Sequence, residues 1–413
     1  MANTVNEKVL GSIYKDTDKA KERYSHLMKG YVDTFGDAQL TYFTSPGRTE
    51  IIGNHTDHNG GKVIAASIDL DTLGAASVSN DNIIEIQSEG YRMVKVDLDN
   101  IDSIPKESGT ISLVAGMAEG VKKMGYAIGG FKAYATTNVI AAAGISSSAS
   151  FEMLFVAIVN KFFNDGKIPY SDYAKIGQYA ENHFWNKASG LMDQMACAVG
   201  GPISLDFAGE ISCDKIPFSF DEYGYRLVIT NTGGGHADLS DEYSAVPEEM
   251  FAVAKELGVQ RLCETNMEAL LSNINSIRAA VKNDRAILRA MHFLNETRRV
   301  EKMADAVAAK DIKAILSLLS ASGASSYDLL QNCYSRKTPD DQPIALALAL
   351  TEQYLSKIQD GVCRVHGGGF AGVIMAIIPE NYVDEYVDYM SVYFGRDNVY
   401  PMNIRAVGAV CVE

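Results

Sequence analysis

A chain of 413 residues has room for two cores, since a single core seldom grows past roughly 250–300 residues. Its formal net charge of −15 excludes the basic footprint that nonspecific nucleic-acid or anionic-membrane binding requires. No apolar run approaches membrane-spanning length, residues 1–8 lack the basic flank and apolar stretch of a secretory signal, and the six scattered cysteines form no CxxC pair. A cytoplasmic protein of two domains, with neither a zinc site nor a disulfide framework, is expected.

In chain order, β-branched and aromatic runs predict strands over 40–44, 63–68 and 83–86, and a 3.6-residue apolar period predicts a helix over 113–123. A strand over 131–137 and a helix over 151–163 follow. Beyond them come a strand over 227–230, helices over 267–282, 295–309 and 344–358, a strand over 373–378 and a helix over 382–394. The first half is strand-rich and the second opens helical, so a division into 1–210 and 211–413 is expected.

Four constellations stand out from this pattern. The segment 45–61, Ser-Pro-Gly-Arg-Thr-Glu-Ile-Ile-Gly-Asn-His-Thr-Asp-His-Asn-Gly-Gly, holds Arg48, Asn54, His55 and Asp57. These are donors and acceptors of the kind that orient a small polyhydroxylated molecule. The second, Ala143-Gly144-Ile145-Ser146-Ser147-Ser148-Ala149-Ser150, runs into the apolar-periodic 151–156. One serine can simply cap that helix, or the open N–H groups of its first turn can bind a phosphate whose Mg²⁺ the hydroxyls help to hold.

The third, 365–372, formally reads G-x-G-x-x-G, but the following Val373-Ile374-Met375-Ala376-Ile377-Ile378 is a strand, where a dinucleotide site needs a helix. A glycine hairpin, structural or closing over a ligand, is the reading there. In the fourth, Asp193 follows Gly190-Leu191-Met192 and lies twelve residues after Glu181. Such an aspartate is either a helix cap or a partly desolvated carboxylate with a pKa raised toward general-base use, and the two acids share a pocket only if the loop between them folds back.

Together these motifs resemble the GHMP small-molecule kinases, and within them the galactokinase family. Segment 46–61 is similar to the signature P-G-R-x-N-x-I-G-E-H-T-D-Y-N-x-G, and 144–150 to the phosphate loop G-L-S-S-S-A-S. Residues 367–372 are similar to the glycine-rich third motif, 190–194 to G-I-M-D-Q, and Ser240-Asp241-Glu242-Tyr243 to S-E-Y. The resemblance spans about residues 40 to 375 and implies an α+β fold of two lobes, an N-terminal one like domain 2 of ribosomal protein S5 and a ferredoxin-like C-terminal one. It implies ATP and Mg²⁺ as cofactors and a small sugar as partner, in a monomer or weak homodimer. No Walker A loop is present, as expected where a serine loop cradles the phosphates.

The resemblance also implies roles. Asp193 would take the proton from the anomeric hydroxyl, or orient it, during attack on the γ-phosphorus, while Arg48 would hold Asp193 ionised and offset phosphoryl charge. Ser147 or Ser148 with Glu181 would hold Mg²⁺. The amides of Gly144, Ile145, Ser146, Ser147 and Ser148, with Ala149 completing the motif, would bind phosphates. His55, Asp57, Gly190 and Tyr243 would contact sugar hydroxyls.

The departures bear on the substrate. Asn54 stands where the family has the Glu of G-E-H, expected to accept a hydrogen bond from the sugar's primary hydroxyl, and His58 stands where it has Tyr. Thr49-Glu50 replaces V-N, and the glycine run Gly233-Gly234-Gly235-His236 is expected to add flexibility before Tyr243. Galactose is the expected substrate. Galacturonate or N-acetylgalactosamine is the alternative, because loss of the Glu charge at residue 54 would tolerate a sugar carboxylate. A catalytically idle sugar and ATP sensor is the alternative of another class, opposed by the intact serine loop, Arg48 and Asp193. A zinc module on His55 and His58 with Asp57 is set aside for want of a third ligand in the sequence nearby.

Overall fold

The computed structural model describes residues 5, 7–107, 109–140, 144–185, 189–233, 239–370 and 372–413. Ala143, Gly234, Gly235, His236 and Ala371 of the segments singled out above lie outside them.

The chain opens with helices α1 (Glu7–Ile13) and α2 (Thr17–Phe35). Asp16 caps α2, accepting from the Lys19 N–H at 3.0 Å, and Ala20, Tyr24, Leu27 and Tyr31 form its buried stripe. Strands β1 (Thr41–Ile52) and β2 (Lys62–Val78) form one long antiparallel hairpin. Both outrun the expected 40–44 and 63–68 because their buried positions include Thr44, Ser45, Arg48, Thr49, Glu50, Ser67 and Asp71, which an apolar period does not register. Register shifts between Pro46 and Arg48 and between Glu50 and Ile52 break the strict alternation of β1 and re-aim those side chains.

There follow β3 (Ile83–Ser88), β4 (Val94–Asp97), α3 (Thr110–Lys123), β5 (Phe131–Thr137), α4 (Ser147–Phe163), α5 (Tyr170–His183), α6 (Met192–Val199), β6 (Pro202–Asp206) and β7 (Ser212–Lys215). The second half runs β8 (Tyr225–Asn231), α7 (Ser240–Glu256), α8 (Met267–Ser272), α9 (Ile274–Val281), α10 (Asp284–Ala308), α11 (Ile312–Ser325), α12 (Pro343–Ile358), β9 (Val362–His366), β10 (Val373–Pro379), α13 (Val383–Phe394), β11 (Val399–Met402) and β12 (Val410–Cys411). The single helix expected over 267–282 is two, broken at Asn273, which ends α8 and precedes α9. The one expected over 295–309 is the second half of α10, which starts at the Asn283 cap.

The first sheet has the order β12-β1-β2-β5-β3-β4, with β6 paired to the start of β2 and β7 to β6. The second sheet has the order β11-β8-β10-β9, which is 4-1-3-2 counted within that lobe, the ferredoxin-like order. The lobes are not consecutive halves. The first sheet continues through β7 to Lys215 and takes back β12 from the far end of the chain, so the expected division at 210 cuts through it.

Helices α3, α4 and α5 cover one face of the first sheet through Leu113, Met117, Met153 and Val156, and α2 covers the other through Tyr24, Leu27 and Tyr31 against Leu73 and Tyr134. Between the lobes Ile51, Ile52, Ile64 and Ile68 pack on Leu227, Ile229, Val373, Met375 and Ile377. This seam fixes the end of β1 against the β9–β10 hairpin.

Candidate active site

Arg48, on β1, is 7% exposed and forks onto Asp193, in the first turn of α6. Its Nε donates to Oδ1 at 2.7 Å and its Nη2 to Oδ2 at 2.8 Å. This bidentate pair and the helix N-terminus both favour the charged carboxylate. Of the settings expected for Asp193, the one observed is the pairing with Arg48 that the resemblance implied. Burial works against the Arg48 charge, but the Asp193 carboxylate outweighs it and holds the guanidinium pKa above its ordinary value. The third donor of the fork, Nη1, reaches the Gly144 carbonyl, and the Ser146 hydroxyl donates to Asp193 Oδ2. One guanidinium thus ties the carboxylate to the serine loop.

Arg48, Asn54, His55, Asp57, Gly190 and Asp193 line one cleft of about 260 Å³, with Glu50, His58, Gly367 and Gly368 also in its lining. Glu181 lines it too, so the two acids do share a pocket. His55 has φ 58° and its Nε2 lies 2.9 Å from the Gly368 carbonyl. A carbonyl only accepts, so Nε2 carries the hydrogen and Nδ1 is left as an acceptor. Burial lowers the His55 pKa to about 4, keeping the ring neutral. A Cβ at Gly190 would stand 2.6 Å from Asp57 Oδ2, so any side chain there would require the loop or that carboxylate to shift. The smallness of Gly190 lets the 189–191 loop close onto that carboxylate.

Two of the expected sugar contacts are engaged by protein groups. Asn54 is 1% exposed and its amide is engaged by protein: Nδ2 donates to the Gly367 carbonyl at 2.7 Å and toward Glu50 Oε2 at 3.2 Å, and Oδ1 accepts from Asn332 Nδ2 at 2.8 Å. Tyr243 stands outside the lining of this cleft, its ring against Gly368 and its hydroxyl donating to the Gly369 carbonyl at 2.9 Å. Both residues hold the glycine hairpin.

Behind them, α10 supplies a support that the sequence reading missed. His292 Nε2 donates to the Asn54 carbonyl at 2.9 Å, and Glu296 Oε1 accepts from the Gly53 N–H at 3.1 Å. Both side chains are fully buried. Burial lowers the His292 pKa; burial also opposes the Glu296 charge, but His292 and Arg299 outweigh it and pull that pKa down to about 2. The signal was a His and a Glu four apart on an apolar helix face.

On the other side of Asp193, Gly144 has φ 65° and a Cβ there would lie 2.6 Å from Val373 Cγ2. Ser146 is the residue before α4, with φ 57°, and makes no side-chain cap. The Ser146 hydroxyl is turned to Asp193 and does not cap α4, so that side chain leaves the first N–H groups of the helix uncovered. Ser148 Oγ donates to Glu181 Oε1 at 3.2 Å, and Gln194 Nε2 bridges Glu181 and Glu152 at 3.2 and 3.1 Å. Ser147 and Ser148 also form part of the wall of a second, mainly apolar cleft of about 430 Å³, lined by Ile86, Tyr91, Leu113, Phe151 and Trp185. Among the described residues no three His, Cys, Asp or Glu side chains are grouped to hold a metal ion, and no helix is long and apolar enough to cross a membrane.

Residues 29–78 match the galactokinase galactose-binding signature and residues 112–201 the GHMP kinases N terminal domain. The galactokinase of Lactococcus lactis subsp. lactis is 30% identical over 379 residues, covering 88% of this chain and 89% of its own. That of Clostridium tetani is 28% identical over 369 residues, covering 87% and 89%. The crystal structure of Lactococcus lactis galactokinase complexed with galactose superposes with a TM-score of 0.80 at 27% identity, over 94% of this chain and 99% of that one. A mevalonate kinase, at 14% identity and a TM-score of 0.60, shares the fold. With two family signatures in order and a 30% identical relative aligned across most of both chains, this chain belongs to the galactokinase family of the GHMP kinases.

Proposed function

We propose that the protein transfers the γ-phosphoryl group of ATP to the anomeric hydroxyl of galactose, giving galactose 1-phosphate and ADP. The observation that carries this reading is the Arg48 fork, which holds Asp193 at the polar cleft and the Gly144 carbonyl of the serine loop with one side chain. The acceptor hydroxyl and the phosphate are thereby set on either side of one carboxylate, and such positioning is the larger part of phosphoryl-transfer catalysis.

His55 Nδ1 and the Asp57 carboxylate accept from sugar hydroxyls, and the Gly190 backbone closes beside them. Asp193 accepts the hydrogen of the attacking hydroxyl, and Arg48 offsets charge on the transferring oxygens. The open N–H groups at the start of α4 receive the phosphates, and the apolar cleft beside Ser147 and Ser148 receives the adenine. The hard oxygen donors of Ser147, Ser148 and Glu181 fit Mg²⁺ and would help to hold it, and the ion would neutralise phosphate charge. Lacking a dedicated cage among the described residues, this chain would share the ion with the nucleotide.

A coupled ADP assay over galactose, galacturonate, N-acetylgalactosamine, glucose and mevalonate, with and without Mg²⁺, tests the reading. Rapid ADP release with galactose and Mg²⁺ is expected. Sugar and ATP binding without ADP release would make the protein a sensor instead.

A further inference from the structure

The cleft wall at residues 50 and 54 carries one acid and one amide in contact, with Asn54 Nδ2 3.2 Å from Glu50 Oε2. Glu50 is 4% exposed and its Oε1 accepts from Arg364 Nη2 at 2.7 Å. Arg364 is itself 1% exposed, stands outside the cleft lining, and donates through Nη1 to the Ile51 carbonyl at 2.6 Å. The guanidinium therefore backs the carboxylate, and the cleft meets Glu50, not Arg364. Burial raises the Glu50 pKa while Arg364 pulls it back.

The signature that this segment resembles has the amide at the first of these two positions and the acid at the second. Here the two have changed places while keeping contact. The charge missing from residue 54 stands instead at residue 50, in the lining of the same cleft and in contact with Asn54, so the room for a sugar carboxylate expected from Asn54 is not opened. Asn54 also has little freedom to change alone. A glutamate there would face Glu50 and the Gly367 carbonyl, both acceptors, in place of the two donor hydrogens now shared between them.

Resting on the galactose-kinase reading, we propose that Glu50 is the specificity-determining residue of the sugar cleft, and that the transposed Glu50–Asn54 pair restricts the substrate to hexoses uncharged at the sixth carbon, rejecting uronates. A uronate would bring a second carboxylate beside Glu50, whose neighbouring amide, Asn54, is already engaged.

The test compares kcat/KM for galactose and galacturonate in the full chain, E50Q, N54E and E50N/N54E. Wild type should favour galactose, and E50Q should narrow that preference on the order of tenfold, the effect of removing one like charge at a few ångströms. N54E should lose galactose turnover, and E50N/N54E should recover it; E50Q and the double exchange both take the carboxylate from Arg364, so melting temperature and ATP affinity are read for each, and the wild-type galactose to galacturonate ratio, which needs no variant, tests the proposal even if they fold poorly. A galactose-active wild type whose preference is unchanged in E50Q, a double exchange no better than N54E, or a wild type that favours galacturonate would each overturn the proposal alone. A wild type that releases ADP with neither sugar would overturn the kinase reading and the proposal together.

Discussion

His292 holds the Asn54 carbonyl from behind the sugar cleft, with Nε2 2.9 Å from the oxygen and Nδ1 2.9 Å from Ser325 Oγ. The ring therefore donates at one nitrogen and accepts at the other, and it fixes the backbone of the residue next to His55. His292→Ala would leave a buried carbonyl without its donor and destabilise the fold by about 1–3 kcal/mol. The loosened turn should raise the sugar KM more than the ATP KM. Thermal melts and a split of the two KM values read these effects, and equal rises in both would assign His292 to general stability only.

Acidification should weaken the fold through the same side chains. His55 and His292 have pKa values lowered by burial, that of His55 from 6.5 to about 4. For such a group the unfolded chain takes up a proton first, so its stabilising effect is whole above 6.5 and lost as the pH falls toward about 4. Glu296, with its pKa at about 2, adds a loss in the same direction below its ordinary 4.5. Glu50, raised by burial, works the other way. Melting temperature measured from pH 8 to pH 4 should fall on the acid side, with a shallower fall in His292→Gln.

Asp193→Asn removes the carboxylate that accepts the attacking hydroxyl's hydrogen and replaces one acceptor of the Arg48 fork by a donor. Turnover should drop by about 10²–10⁴-fold, while ATP affinity, set by the serine loop and the apolar cleft, stays near that of wild type. Steady-state kcat and a direct nucleotide titration decide this, and near-normal kcat would take Asp193 out of the chemistry.

Gly190→Ala would press a methyl group to 2.6 Å from Asp57 Oδ2. Either the loop or the carboxylate must shift, and a displacement near 1 Å in a positioned group costs on the order of 10²-fold in rate. The loss is expected in kcat/KM for sugar, with nucleotide binding little changed. Retained sugar kinetics would show that the loop yields without moving Asp57.

Glu181→Gln keeps the shape of the Ser148 contact at 3.2 Å but removes its charge. The Mg²⁺ concentration giving half-maximal ADP release should rise about tenfold or more, in line with the usual cost of weakening a metal site. An unchanged Mg²⁺ requirement would place the ion elsewhere on the nucleotide.

Much of this architecture was legible because apolar periodicity reports packing. The strand over 131–137 and the helix ends at 123, 163, 358 and 394 coincide with observed bounds, since each buries a regular stripe. β1 and β2 were cut short where buried polar residues such as Arg48, Glu50 and Asp71 interrupt the pattern, and these interruptions include the site itself. α2, a polar helix with a narrow stripe of Ala20, Tyr24, Leu27 and Tyr31, escaped notice for the same reason. Arg48, His55, Asp57, Gly190 and Asp193 line one cleft, a convergence that the family resemblance implied and that the local patterns alone, with Arg48 and Asp193 145 residues apart, did not. Asn54, Tyr243, His292 and Arg364 depend on partners more than a hundred residues away, which no local pattern reveals.

The return of β12 to the edge of β1 bears on how the molecule comes into being. Val412 packs with Tyr24, Leu27 and Tyr42, the Val412 N–H donates to the Tyr42 carbonyl at 2.7 Å, and the Ala409 N–H reaches the Cys197 carbonyl on α6 at 3.0 Å. Synthesis proceeds from the N-terminus, and domains ordinarily fold as they emerge. Here the early-made lobe keeps an open sheet edge until the later one has been translated. The two should then ripen together on or after leaving the ribosome, and melt as a single cooperative unit.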